Sequence, residues 1–268
     1  TNGYTGVIFA YGDTTISGGE FIQNATNGKW NHPQVIVTGV VEGHTAITRV
    51  TGGNFVNKKS GESIFRGVGK ATSDNFKVSG GTFNKAVSDA FCADGFIPAK
   101  NADGTYGVKV GQYVAKVGSK YETLADAIRL AAKGQTITLL ADVEQNAQLT
   151  IDKSITLDLN GKTIKISGYT AEKAQVSVKG NLTIQDSSEA QTGKICSDYT
   201  GTDGRVVSVE NGGKLTIAGG TITTEGMSGL SGSAVYIASG AKVNMTGGAV
   251  KVDAKRGNVA MNVKGSTG

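Results

Sequence analysis

The side chains able to do chemistry are scattered along this chain. Glycoside cleavage needs two carboxyl groups ~5–9.5 Å apart, one of them held protonated. The best local pair is Asp152 with Asp158, six residues apart around an expected corner, while Asp158 and Asp186 lie in different repeats where they can stack. Each stands among Lys, Thr and Ser, which suits a solvated or corner-bonding carboxylate better than a general acid. The two histidines, His32 and His44, have no Cys or His partner at metal-ligand spacing. Cys92 and Cys196 each lack a second thiol nearby and are expected to be small buried hydrophobes. No Gly-x-Ser-x-Gly elbow precedes a helix, and each Gly-Gly pair runs into a β-type segment, so no phosphate-binding loop is expected.

Two stretches remain as candidate sites. Trp30, Asn31 and His32 fall in the insertion 22–33 (IQNATNGKWNHP), which is expected to loop off a repeat and offer a binding surface. A solvated loop with Trp30 folded back is the alternative. The oxygen-rich loop from Asp198 to Asp203 is the one place where calcium stands against the expectation of no cofactor.

The elements that must position these residues announce themselves by repetition. Residues 214–222 read KLTIAGGTI, a β-type run, a Gly-Gly pair and a second run, and the same arrangement returns as TISGGEF (15–21), RVTGGNF (49–55), KVSGGTF (77–83) and NMTGGAV (244–250). Gly18 to Gly52 is 34 residues, Gly52 to Gly80 is 28 and Gly219 to Gly247 is 28. Two or three short strands with tight corners fill that length at ~3.3 Å per residue, whereas a propeller blade needs ~40 residues or more. The expected unit is one coil of a β-solenoid. Gly18, Gly19, Gly52, Gly53, Gly80, Gly81, Gly219, Gly220, Gly247 and Gly248 are its expected corners.

Composition agrees. Glycine makes up 40 of 268 residues, proline only 2, and 6% of the chain is aromatic. The glycines sit between apolar runs, which excludes a flexible tract and fits narrow coils filled by Val, Ile, Leu and Ala. The net charge of +5 comes from 27 basic and 22 acidic residues that are well mixed, without the clustered Arg and Lys of a nucleic-acid groove. No apolar run reaches 18 residues, so no membrane insertion is expected. The chain opens on Thr1-Asn-Gly, without a signal peptide, as expected for a piece of a larger precursor.

Two stacks are expected, 1–111 and 112–268. In the first, about three coils lead to a helical turn in 84–90 and two strands, 95–98 and 106–109, joined by an Asp103-Gly104 hairpin turn. The second opens with a linking strand, 112–117, and a helix over 122–133, with Thr123 as N-cap, Asp126 completing a capping box and Gly134 as the stop. Leu124, Ala127, Ile128 and Ala131 form its apolar stripe, suited to covering the end of a stack. Alternating strands then follow to Val263.

The segments 121–140 (YETLADAIRLAAKGQTITLL), 155–164 (ITLDLNGKTI) and 78–83 (VSGGTF) with 101–106 (NADGTY) resemble the opening and closing parts of right-handed parallel β-helix proteins of the pectate-lyase-like superfold. Among these the chain is most similar to repetitive surface proteins of gut-type Gram-positive bacteria. The resemblance implies an all-β fold, a right-handed parallel β-helix in two stacks with one short capping α-helix, in an extracellular, cell-surface setting. The superfold hosts lyases, hydrolases, adhesins and inert stalks alike, so the resemblance does not choose among them. Without an acid–base cluster on one face, a structural or adhesive module without enzymatic activity is expected. A closing segment precedes an opening one, so self-association by end-to-end stacking, or a tandem array, is expected, with a glycan or host surface as a further partner. The alternatives are a polysaccharide lyase or hydrolase and a non-catalytic glycan- or host-protein-binding domain. His44, in Glu42-Gly-His-Thr45, lacks the paired Asp and the Arg-x-Lys of polygalacturonases.

Overall fold

A computed structural model describes residues 6–24, 33–42, 44–253 and 257–265. The chain divides into two compact units, Thr1–Gln112 and Tyr113–Gly268. Both are built from parallel strands stacked coil upon coil, the β-solenoid that the repeats imply.

In the second unit each coil contributes one strand to each of three sheets. The first sheet stacks Thr136–Leu139, Ile155–Asp158, Asn181–Gln185, Lys214–Ile217 and Lys242–Met245; the second stacks Val143–Gln145, Thr163–Ile166, Lys194–Ser197, Thr221–Thr223 and Ala249–Lys251. The third stacks Leu149–Ile151, Ala174–Val178, Arg205–Val209, Ser233–Ile237 and Val259–Val263. Residue alternation places one set of side chains inside, and the parallel register lines them into ladders. One ladder runs Ile137, Leu157, Ile184, Ile217, Met245; another runs Val143, Ile164, Ile195, Ile222, Val250. Ile137, Ile164, Ile184, Ile195, Ile217 and Ile222 are fully buried. Lateral ladders of like aliphatic residues are how a chain of modest hydrophobicity builds a continuous core.

The strand Val143–Gln145 was not among the expected elements, since its Val-Glu-Gln pattern is too short to carry a period. The opening end is closed by an antiparallel pair, Ala115–Val117 with Ser119–Tyr121, laid against Thr136–Leu139, and by the helix Leu124–Leu130. Thr123 caps the helix as expected, accepting the Asp126 amide at 3.1 Å, and Leu124, Ala127, Ile128 and Ala131 are buried. The helix is shorter than the expected 122–133. It ends because Ala131 turns to an extended ψ of 133° and the Lys153 ammonium donates to the Arg129 and Ala131 carbonyls at 2.8 and 2.9 Å. Gly134, expected as the stop, instead takes a positive φ of 84° in the turn beyond.

In the first unit Ile8–Ala10, Ile36–Val40 and Phe65–Gly69 form one parallel sheet. Thr14–Gln23, Thr48–Asn57 and then Phe76–Val78 with Thr82–Phe83 form another, closed by the antiparallel hairpin Phe96–Lys100 and Tyr106–Val110. The single turn expected within 84–90 is a 3-10 turn at Asp89–Phe91. Phe21, Phe55 and Phe83 stack with centroids 5.1 Å apart at each step. The fully buried Asn57 donates its backbone N–H to Asn84 Oδ1 at 2.8 Å and accepts Asn84 Nδ2 at its carbonyl at 3.0 Å. Its own Nδ2 donates to the Pro33 and Ser63 carbonyls at 2.8 Å each.

The expected corners behave in three ways. Gly80–Gly81 separates two strands, Phe76–Val78 and Thr82–Phe83, that pair with the same neighbour, Thr48–Asn57. In the second unit Gly219–Gly220 and Gly247–Gly248 separate strands of different sheets. In the first, Gly18–Gly19 and Gly52–Gly53 lie inside single ten-residue strands, as bends with a register shift between them. The second glycine of every pair has a positive φ, from 70° at Gly248 to 112° at Gly53, where a side chain is strained.

Candidate functional site

The outward faces of the second unit carry several open grooves, two of which hold charged rows. The larger, about 1010 Å³, lies along the third sheet and is lined among others by Gln148, Glu172, Lys173, Ser177, Arg205 and Glu210. The Arg205 guanidinium stacks 3.4 Å from the centre of the Tyr236 ring, one coil further along. Lys173 pairs with Asp203 at 3.0 Å, Gln148 donates to the Ala174 carbonyl at 2.7 Å, and Ser177 donates to Glu210 at 3.4 Å. The wall is thus polar, of mixed sign and held by bonds that cross from coil to coil. Sequence reasoning had not singled out these residues. The spacing from Val207 to Val235 held the signal, because the register sets Tyr236 beside Ser208 and within reach of Arg205.

A second groove of about 570 Å³ follows the second sheet, where Lys165 lies 3.5 Å from Glu144 and 3.6 Å from Asp198, and Lys194 pairs with Glu225 at 3.2 Å. The Glu144 carboxylate, first, and Asp198 hold the Lys165 ammonium above the usual lysine range. Cys196 is buried at this groove, and burial pushes its thiol up, against a weaker pull from Lys194. Burial, with Asp89 beside it, pushes half-buried Cys92 to about 11. Neither is a thiolate nucleophile at neutral pH.

The carboxylates singled out for catalysis serve the coils instead. Asp158 is buried and accepts the Asn160 and Ser187 amides at 3.1 and 2.9 Å. Asp186, also buried, accepts the Gly161 amide at 2.8 Å, the Ser188 hydroxyl and amide at 2.8 and 3.1 Å, and the Gly193 amide at 2.6 Å. Burial alone would raise the Asp186 carboxyl, but these four donors outweigh it and hold the group below the usual carboxylate range. A general acid needs the opposite shift. Asp152 is exposed beside Lys153, in the corner before the strand Ile155–Asp158, whereas Asp158 is buried at that strand's far end.

The proposed calcium loop does not gather its acids. Asp198 accepts the Ser167 hydroxyl and the Gly168 amide, the latter at 2.9 Å, and these bonds with Lys165 bring its carboxyl down against the effect of burial. Asp203 turns to Lys173, and Tyr199 between them is buried. Among the described residues no three His, Cys, Asp or Glu side chains cluster as metal ligands. His44 is exposed, its amide bonded to the Val41 carbonyl at 3.1 Å. Trp30, Asn31 and His32 lie outside the described residues.

Among the described residues no helix is long and apolar enough to cross a membrane. No family model, no curated protein and no solved structure matches this chain.

Proposed function

We propose that this chain is a non-catalytic structural and adhesive β-solenoid module of an extracellular, cell-surface protein. The observation that carries the reading is the Asp186 carboxylate, an acid at a catalytic-looking position held ionised by four hydrogen bonds within the coil corners. The outward charged rows support it. Glu144 with Lys165 and Asp198, Lys194 with Glu225, and Lys173 with Asp203 fasten one coil to another, as a scaffold requires. The test is incubation with pectin, mucin glycans and glycosaminoglycans, followed by chromatography of the products. No cleavage is expected, and consistent turnover would overturn the reading in favour of a polysaccharide lyase or hydrolase.

The groove beside Arg205 favours a second reading, glycan or host-protein binding without turnover. Its mixed polar lining offers donors and acceptors suited to a hydroxyl-rich ligand. Glycan-array binding that disappears in Arg205→Ala would support this role, and array binding unchanged in that variant would clear the groove.

A further inference from the structure

Two four-residue turns of the second unit carry the same Asn-Gly step. Leu159-Asn160-Gly161-Lys162 is closed by the Lys162 amide donating to the Leu159 carbonyl at 2.8 Å. Glu210-Asn211-Gly212-Gly213 is closed by the Gly213 amide donating to the Glu210 carbonyl, also at 2.8 Å. An Asn-Gly step is chemically labile, because glycine places no Cβ between its own nitrogen and the side-chain amide before it. That nitrogen attacks the Asn Cγ once it loses its proton and the Asn Cα–C bond turns to bring the two atoms together. The bonds that the neighbouring coils make to the nitrogen and to the amide therefore decide whether each step reacts.

The first turn is pinned. Asn160 Nδ2 donates to the Leu139 carbonyl at 2.9 Å, and the Asn160 amide donates to Asp158 Oδ1 at 3.1 Å. The Gly161 amide, the would-be nucleophile, donates to the Asp186 carboxylate of the next coil at 2.8 Å. A carboxylate accepting this N–H opposes its ionisation and fixes its direction. The second turn is open. Asn211 and Gly212 are exposed, and a Cβ on Gly212 would meet nothing within 4 Å. Among the described residues neither the Gly212 amide nor the Asn211 side chain has a hydrogen-bond partner. The Asn211 side chain merely rests over Gly240, one coil on, where a Cβ would lie 2.9 Å from its Oδ1. Only the bond from Gly213 to Glu210 has to open before attack.

We propose that Asn211 is a site of spontaneous deamidation, which adds a carboxylate to the wall of the Arg205 groove as the protein ages, and that Asp186 spares Asn160 the same reaction. The Gly212 nitrogen bonds to Asn211 Cγ, the Cγ–Nδ2 bond breaks, and the Gly212 amide proton leaves with Nδ2 as ammonia. Water then opens the cyclic imide at either carbonyl, returns a hydrogen to the Gly212 nitrogen and leaves aspartate or isoaspartate. Water is the only co-reactant. Asn211 lines the groove with Glu210, so the product sets two neighbouring carboxylates against the Lys179 and Arg205 cations there. Isoaspartate also routes the main chain through its Cβ and lengthens the turn. Gly213 leaves little room for that, since a Cβ on it would already lie 2.4 Å from the Val178 carbonyl oxygen of the preceding coil.

Incubating the 268-residue chain in mildly alkaline buffer, then mapping its tryptic peptides by mass spectrometry with isoaspartyl methyltransferase labelling, tests the proposal. Peptides 154–162 and 206–214 each contain a single asparagine, so the two steps are read separately from those at 2–3 and 27–28, which lie outside the described residues. In urea the two steps are expected to convert at similar rates. In the folded chain Asn211 is expected to convert roughly tenfold or more faster than Asn160, which has the additional bonds to break. Asp186→Asn, which removes the charge facing the Gly161 amide, is expected to raise conversion at Asn160 severalfold and to leave Asn211 unchanged. Ile222→Ala, a cavity at a fully buried position of the same core, is the control for lost stability and is expected to raise Asn160 conversion less. An Asn211 that stays intact in the folded chain, an Asn160 that converts as fast, or an Ile222→Ala effect at Asn160 equal to that of Asp186→Asn overturns the proposal.

Discussion

The Asp186 carboxylate accepts the Gly161 amide from the preceding coil at 2.8 Å, while Asp158 of that coil accepts the Ser187 amide at 2.9 Å. The two acids bind reciprocally across one coil boundary. Each satisfies an amide at a corner, where the backbone leaves the ladder and loses its regular partners.

Replacing Asp186 by Ala leaves the Gly161 and Gly193 amides without an acceptor in a buried corner. The expected loss is about 2–3 kcal/mol of unfolding free energy, measured by urea titration. Asp152→Ala, at an exposed site, is expected to change stability by less than ~0.5 kcal/mol.

The same bonds set an acid limit. Asp186 and Asp198 both have carboxyls lowered in the folded state. Their contribution is therefore fully present above the unfolded carboxylate pKa and is lost as pH falls through the lower folded value. Between about pH 4 and pH 2 the thermal midpoint of the wild type is expected to fall more steeply than that of Asp186→Asn. Parallel curves would remove Asp186 from the account of acid stability.

Valine at Gly219 or Gly220 tests the corners. At Gly219 a Cβ would lie 2.7 Å from the Asp186 amide nitrogen, and at Gly220 it would combine a φ of 74° with a 2.5 Å approach to Leu159. Each is expected to cost about 2–4 kcal/mol, with a lowered thermal midpoint. An unchanged midpoint would show that the corner can relax.

Phe55 is fully buried and stacked between Phe21 and Phe83. Phe55→Ala is expected to cost about 3–5 kcal/mol in urea unfolding. Phe55→Leu, which keeps most of the volume, is expected to cost less than Ala, with the difference reporting packing and stacking together.

Much of this architecture was legible in the residues. The Gly-Gly recurrences and the alternation in segments such as Ile155-Thr-Leu-Asp158 carry the coil plan, because strand period and positive-φ corners are local properties. The Thr123 cap was legible for the same reason. The helix end was not, since it depends on Lys153, more than twenty residues away in sequence. Nor was the strand Val143–Gln145, which is defined by its ladder with Thr163–Ile166 and by the burial of Val143. Among the candidate residues, the corner role of Asp158 had been weighed against catalysis, but its partner Ser187 lies 29 residues away and appears only when the coils are stacked. The groove beside Arg205 is likewise a product of stacking, assembled from residues that no linear motif joins.

The ladder Ile137, Leu157, Ile184, Ile217, Met245 keeps its rungs aligned although the intervals between them are 20, 27, 33 and 28 residues. The surplus chain goes into excursions such as 186–193, between the first and second sheets, and 167–173, 198–204 and 224–232, between the second and third. Coil length therefore varies at the corners and is fixed inside the strands. The excursions are nonetheless tied to one another. Met227 is buried, the Ser228 amide donates to the Tyr199 carbonyl at 3.1 Å and the Asp203 amide to the Leu230 carbonyl at 2.8 Å. Residues 198–204 and 224–232 thus form a second, irregular stack beside the sheets, and lengthening one of them should strain its neighbour.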